Sequence, residues 1–273
     1  MHEEFVLHDK TAVYYTSPLL DSFSVPHAFF TRHGGVSDPP FDTLNFAVGL
    51  GDNRDSEEKV RRNHDIAASV FGLTGASVCR TWQTHSDTVE LAGGIEDFGR
   101  GVTAPAYDHP VDGLVTATRG LLLSVRTADC VPVLLYDPSS NICAAVHSGW
   151  RGTYKRISSV AIDKMVAVGA SRGSIIAAVG PCAGVCCYEV GAELYESFTA
   201  LSHDYSRFFV PVGEKYRLDL SGLNAAVLSE SGVSGDRISE CRICTCCNTD
   251  MFFSHRVSGN DRGTMASFIK ARE

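Results

Sequence analysis

Residues 114–147 read L-V-T-A-T-R-G-L-L-L-S-V-R-T-A-D-C-V-P-V-L-L-Y-D-P-S-S-N-I-C-A-A-V-H, and this stretch decides the fold. Four short apolar runs, 114–117, 121–125, 131–136 and 142–147, are divided by turn signals such as Thr118-Arg119-Gly120 and Asp137-Pro138-Ser139-Ser140. The runs predict strands of one central sheet. Downstream, Ile157, Val160, Ala161, Met165 and Val168 recur at helical spacing and predict a helix over 153–168, stopped by Gly169. A strand over 174–180, a helix over 192–201, strands near 208–212 and 216–220 and a helix over 223–231 follow. Upstream, Val60, Ile66, Ala67, Val70 and Phe71 predict a helix over 55–71. Residues 29–53 hold too much Gly, Pro, Asp and Asn for a regular element and read as an ordered loop.

The alternation of strands and helices places the chain in the α/β (α+β) class. Adjacent short strands without helices between them call for a mixed β-sheet flanked by helices rather than a purely parallel one. No repeat, low-complexity tract or linker divides the chain, so residues 1–273 are expected to form a single domain. A hydrophobic content of 44% with 21% charged residues is enough to bury a sizeable core.

Charge narrows the function. A formal net charge of −8 with evenly scattered Lys and Arg argues against nucleic-acid and anionic-membrane partners, which need a basic stripe, and favours a small molecule. The N-terminus M-H-E-E-F-V-L-H-D-K is acidic where a signal peptide is cationic, and no apolar run reaches the roughly 18 residues of a membrane span. The expected location is the cytoplasm. Ten cysteines in a chain of this size read as reduced thiols, free for metal binding or catalysis, rather than as a disulfide framework. Nothing in the sequence bears on oligomeric state.

Three residues stand out at strand or turn boundaries beside small or polar neighbours: His85 in W-Q-T-H-S, Cys130 in T-A-D-C-V-P and His147 in A-A-V-H-S-G-W-R-G. Their separations match no compact zinc-finger spacing, so a shared site would have to be assembled by the fold. Taken singly, each is more often a satisfied core histidine or an inert buried thiol. Context points the other way: Cys130 sits between Asp129 and the Val131-Pro132 pair, and His147 runs directly into Gly149, where tight backbone exposes side chains.

These stretches resemble the laccase-domain family, also called multicopper polyphenol oxidases and now regarded as purine nucleoside phosphorylases. The likeness covers nearly the whole chain: T-R-H-G-G-V-S at 31–37, L-N at 44–45, G-D-N at 51–53, Q-T-H at 83–85, T-A-D-C-V-P-V at 127–133 and A-A-V-H-S-G-W-R-G at 144–152. It continues with G-P at 180–181, Y-E-V-G at 188–191, C-T at 244–245, F-F-S-H-R at 252–256 and M-A-S-F-I at 265–269. The resemblance implies a zinc ion held by His85, Cys130 and His147, and two imidazoles with one thiolate leave a fourth position open, as in catalytic zinc. It also implies phosphorolysis of adenosine, inosine and methylthioadenosine to base and ribose 1-phosphate, with adenosine deamination beside it. Deamination calls for a metal that activates water, and phosphorolysis for cationic or amide groups that hold phosphate near the ribose.

Within that frame Arg32 and Arg151, each in a Gly-flanked segment, are candidates for binding the anion, with an ordinary ion pair as the alternative. Arg256 is a weaker candidate of the same kind, Asn45 one for hydrogen-bonding sugar or base, and Asp129 one for orienting a ligand from behind. The chain departs from the family where Thr264 replaces Arg in G-R-M, Ser86 replaces Gly after His85, and His64 replaces Arg after Asn63. Cys241, Cys244, Cys246 and Cys247, with Cys182, Cys186 and Cys187, could form a separate thiolate zinc site, but they read rather as oxidation-prone free thiols. Copper is the other metal to consider, since it outcompetes zinc on intrinsic affinity. None of the ten histidines forms the H-x-H pairs of true multicopper oxidases, so phenol oxidation ranks as a secondary property. A nucleoside- or metal-binding protein without turnover is the alternative of a different class.

Overall fold

The computed structural model describes residues 4–49, 53–102 and 107–273. Two six-stranded mixed sheets lie face to face and each carries helices on its outer side, in keeping with the mixed α/β expectation. The first sheet runs Val6–Asp9, Val13–Thr16, His27–Phe30, Met265–Lys270, Leu122–Thr127, Val78–Arg80. The second runs Ile238–Glu240, Ile176–Val179, Val131–Asp137, Ile142–Ser148, Gly113–Thr116, Val89–Leu91. A small three-stranded sheet, Glu189–Val190, Lys215–Leu218 and Phe209–Val212, stands beside them.

The continuous apolar runs follow from this layering, because a strand covered on both faces needs no polar alternation. In Val131–Asp137, side chains point alternately to opposite faces. Val131, Val133 and Leu135 pack outward with Ile157, Ala161 and Leu223 of the covering helices. Leu134 and Tyr136 pack inward against Phe29, Leu123, Val125 and Ile269 of the other sheet. Leu134 is fully buried, and truncating such a residue to Ala costs about 2–5 kcal/mol. The first sheet's outer face is covered by the helix Glu57–Ser69, which buries Val60, Asn63, His64, Ala67 and Ala68 at three- and four-residue spacing. Its Ser56 cap accepts from the Lys59 amide, and Glu57 and Glu58 complement the positive end of its dipole.

Three sequence expectations change. The four runs of 114–147 do not share one sheet: Leu122–Thr127 belongs to the first and the other three to the second. The chain crosses between sheets at Ala128-Asp129-Cys130, with Asp129 in the left-handed region at φ +88°. The helix over 153–168 is two helices, Trp150–Tyr154 and Ile157–Ala167, broken where Arg156 takes φ +60° and reaches Tyr205 and Glu230. The loop over 29–53 opens with the end of a strand, His27–Phe30, and its Leu50, Gly51 and Asp52 lie outside the described residues. Among the described residues no helix is long and apolar enough to cross a membrane.

Candidate metal centre

The sheet crossing builds the site. Cys130 is the last residue before Val131–Asp137, whose pairing sets Pro132 opposite His147 and Val131 opposite Ser148. That register carries the His147 ring to the level of the Cys130 sulfur. His85 arrives on the loop after Val78–Arg80, in a left-handed conformation at φ +63°. Non-glycine residues in this region cost about 1–3 kcal/mol each and persist only where surroundings impose them. For His85 the imposing group is Asp112, whose buried carboxylate accepts from the amides of Thr84 (3.1 Å), His85 (3.1 Å) and Ser86 (2.8 Å). It also accepts from the Ser86 hydroxyl at 2.6 Å and from His147 Nδ1 at 2.7 Å.

One ligand atom from each of His85, Cys130 and His147 lies within 4.8 Å of the others, and Cys130 Sγ is 3.6 Å from His85 Nε2. Metal bonds of about 2.0–2.3 Å place tetrahedral donors roughly 3.3–3.8 Å apart, so the arrangement fits zinc or another small transition metal. Because His147 gives Nδ1 to Asp112, its Nε2 faces the shared point. Gly149 closes the cradle: a Cβ there would stand 2.7 Å from His85 Cδ2 and 3.0 Å from Cys130 Sγ.

The charges are arranged for a cation. Burial alone would favour the neutral Cys130 thiol, yet the neighbouring His147 and His85 draw it down to about 6. Burial disfavours charged His147, but Cys130 and Asp112 together lift it to about 9. Burial also opposes the Asp112 charge, and the hydrogen bonds from His147, Ser86 and Thr84 nevertheless hold it at about 2. Without metal, Cys130 and His147 are therefore a thiolate–imidazolium pair at neutral pH.

The other candidate residues divide. Asn45 is fully buried and all its groups are used internally, to Ala47, Asp55 and Thr264, so it does not face a ligand. Arg32 is likewise committed: it bonds Asp42 and the Thr249 carbonyl and stacks 4.5 Å from the Phe253 ring. Arg151 lies over Trp150 and Arg256 over Tyr188, at 4.3 and 5.1 Å. Burial first and then the negative charge of Cys130 push the Tyr188 phenol up, against the pull of Arg256 and Arg151. Asp129 touches no metal ligand through its carboxylate; it accepts instead from Thr245, Ser254 and the Arg256 amide and so ties the C-terminal segment to the crossing.

Sequence reasoning passed over Asp112 and Tyr188. Tyr188 lay within the Y-E-V-G motif, and Asp112 at the polar entry to an apolar strand carried no signal until folding set it behind two ligands. All ten cysteines are free. Cys186, Cys187, Cys244 and Cys247 converge within 4.8 Å, with Cys247 Sγ 3.4 Å from Cys186 and 3.3 Å from Cys187. Cys182 and Cys241 are buried outside that group, and Cys246 faces Asp129 and Ser254.

Comparison with known proteins agrees with this architecture. A purine nucleoside phosphorylase of Deinococcus radiodurans is 37% identical over 257 residues, covering 92% of each chain. One from Bacteroides thetaiotaomicron is 33% identical over 96% of each, and adenosine deaminase RL5 of an unknown prokaryote is 39% identical over 66% of this chain and 70% of its own. The solved structure of hypothetical protein YfiH from Bacillus licheniformis superposes with a TM-score of 0.88 at 29% identity, covering 98% of this chain and 99% of that one. The family model described as multi-copper polyphenol oxidoreductase laccase matches residues 26–272, and with the relatives above it shows that the chain belongs to this laccase-domain family of enzymes.

Proposed function

We propose that this chain is a zinc-dependent purine nucleoside phosphorylase that also deaminates adenosine. It would act as a single domain in the cytoplasm on adenosine, inosine and methylthioadenosine. The observation that carries the reading is the open three-donor set of His85, Cys130 and His147 braced by Asp112. Relatives named for both activities support it. When bound, the metal supplies a Lewis acid that lowers the pKa of water or polarises a substrate atom.

The chain's own residues do the rest. Asp112 keeps Nδ1 of His147 protonated and its ring fixed. Tyr188, with Arg256 stacked over its ring, is the aromatic face we assign to the purine. In phosphorolysis a phosphate oxygen bonds to C1′ of the ribose as the C1′–N9 bond breaks, and the departing purine keeps the electron pair and takes up a proton. Polyphenol oxidation by bound copper stays secondary, since the site offers one three-ligand centre rather than paired histidines.

Metal-loaded protein incubated with inosine, adenosine or methylthioadenosine and phosphate is expected to release free base, resolved by chromatography. Adenosine alone should yield inosine. No base from any purine nucleoside would leave a binding protein without turnover as the reading.

A further inference from the structure

Arginines are seldom buried without a carboxylate, because an unpaired charge inside a protein is costly. Arg80, on the edge strand of the first sheet, is 6% exposed, and neither it, Arg126 nor Arg262 forms an ion pair among the described residues. Arg80 gives one nitrogen to the Phe46 carbonyl at 3.4 Å and Arg262 one to the Gly263 carbonyl at 3.0 Å. The Nε atoms of all three are buried with no partner. Three further unpartnered buried atoms belong to the same neighbourhood: His64 Nε2, Ser124 Oγ and Thr264 Oγ1. Among the described residues only nine such atoms exist, so six of them gathered in one place point to a missing ligand.

The sheet register explains the gathering. Arg80 pairs with Ser124, Ser124 with Phe268 and Arg126 with Ala266, so these side chains share the outer face of the first sheet. His64 comes down on that face from the covering helix, its ring 5.2 Å from Phe46 and 6.4 Å from Phe268. Thr264 is held there by the Phe46 amide, which donates to its carbonyl. Gln83 clamps the Arg126 backbone through both of its amide atoms and leads two residues later to His85. Burial and the mutual repulsion of the guanidiniums depress Arg80 and Arg126, and His64 feels both of them. Burial depresses Arg262 as well, against the attraction of Asp129 and Cys130, and the strand Leu122–Thr127 that carries Arg126 runs straight into the crossing that ends at Cys130.

We propose that Arg80, Arg126 and Arg262, with His64, Ser124 and Thr264, form the pocket that holds inorganic phosphate next to the metal centre; the inference rests on the phosphorylase reading. Guanidinium forks suit a tetrahedral dianion, which removes their repulsion and fills their empty donors. His64 adds selectivity. Its Nδ1 lies 2.8 Å from the Val60 carbonyl and must carry the hydrogen, so Nε2 presents a lone pair. That lone pair accepts the P–OH of monohydrogen phosphate, a donor that sulfate lacks at neutral pH.

The test is inorganic phosphate binding to metal-loaded protein, read by calorimetry and by thermal shift against chloride at equal ionic strength. Wild type is expected to bind phosphate, to prefer it over sulfate and to melt higher in its presence. Arg126→Met and Arg80→Met should each weaken phosphate binding at least tenfold, lose the phosphate-induced shift and melt no lower than wild type without phosphate, because a buried unpaired charge has been removed. A wild type whose melting phosphate raises no more than chloride does overturns the pocket, as do variants that bind phosphate like wild type. If phosphate binds and the variants lose it while no nucleoside is split, the pocket stands and the phosphorylase reading fails. If base is released and the KM for phosphate in Arg126→Met and Arg80→Met equals that of wild type, the reading stands and the pocket fails.

Discussion

Asp112 Oδ1 accepts a 2.7 Å hydrogen bond from His147 Nδ1 and, at 3.1 Å, another from the His85 amide, so one carboxylate orients two of the three metal donors. Asp112→Asn keeps the shape and removes the charge. It is expected to weaken metal binding about 10–100-fold, the usual effect of losing such a partner, as measured by competition with a chromogenic chelator. Unchanged affinity would mean that the His147 ring is held by packing alone.

Gly149 tests the geometry from the other side. The Cβ of Gly149→Ala would meet His85 and Cys130 at 2.7 and 3.0 Å, so the donors must separate. We expect loss of metal affinity with the melting temperature of the metal-free protein little changed. A variant that binds metal as wild type does shows that the His85 ring and the Cys130 sulfur have room to adjust.

Cys130→Ala is expected to empty the centre. Metal analysis should be made with Cys186, Cys187 and Cys247 replaced by Ser, so that the second thiol group holds nothing, and zinc should fall from about one per chain to none. The same background gives a proton count. At pH 7.5 Cys130 is already a thiolate and His147 still an imidazolium, so binding displaces the His147 proton. Calorimetry in buffers of different ionisation enthalpy should find about one proton released at pH 7.5 and fewer above pH 9.

Acid stability reports on His64. Burial, despite the hydrogen bond to Val60 and helped by Arg80 and Arg126, lowers this histidine to about 3 from an ordinary 6.5. Below pH 6.5 the unfolded chain takes up a proton that the folded one refuses, so stability falls as pH drops and levels off near pH 3. The full effect is at most roughly 4–5 kcal/mol. His64→Leu should lose about 1 kcal/mol at pH 7 with the Val60 hydrogen bond and unfold at a lower pH than wild type. Denaturant melts across pH 3–7 that run parallel for the two proteins would contradict this.

The second thiol group is poised for oxidation. The Gly184 and Cys247 amides donate to Cys244 and, against its burial, bring it to about 7, and exposed Cys247 lies 3.4 Å or less from two sulfurs. A mild oxidant should join Cys247 to Cys186 or Cys187, giving a crosslinked peptide pair by mass spectrometry that reductant reverses. Recovery of all four thiols free after oxidation speaks against it.

By itself the sequence determined the central strands from 114 to 147 and the longer helices, because continuous apolar runs and three- to four-residue periodicity are local properties that burial on two faces or one stripe imposes; the short strands Val6–Asp9, Val13–Thr16, His27–Phe30, Val78–Arg80 and Met265–Lys270 carry too few residues for such a pattern to show. It also marked His85, Cys130 and His147, whose neighbouring motifs are contiguous. Only the tertiary structure divided the strands between two sheets, since a run buried on both sides does not say which partner covers it. Only the structure, too, set Asp112 behind two ligands, turned Asn45 and Arg32 to internal bonding, and brought Arg80, Ser124 and Arg126 onto one face. Those relations depend on strand register and on a crossing at Asp129, where hydrogen bonds between residues over a hundred positions apart hold the chain in a conformation that no local preference favours.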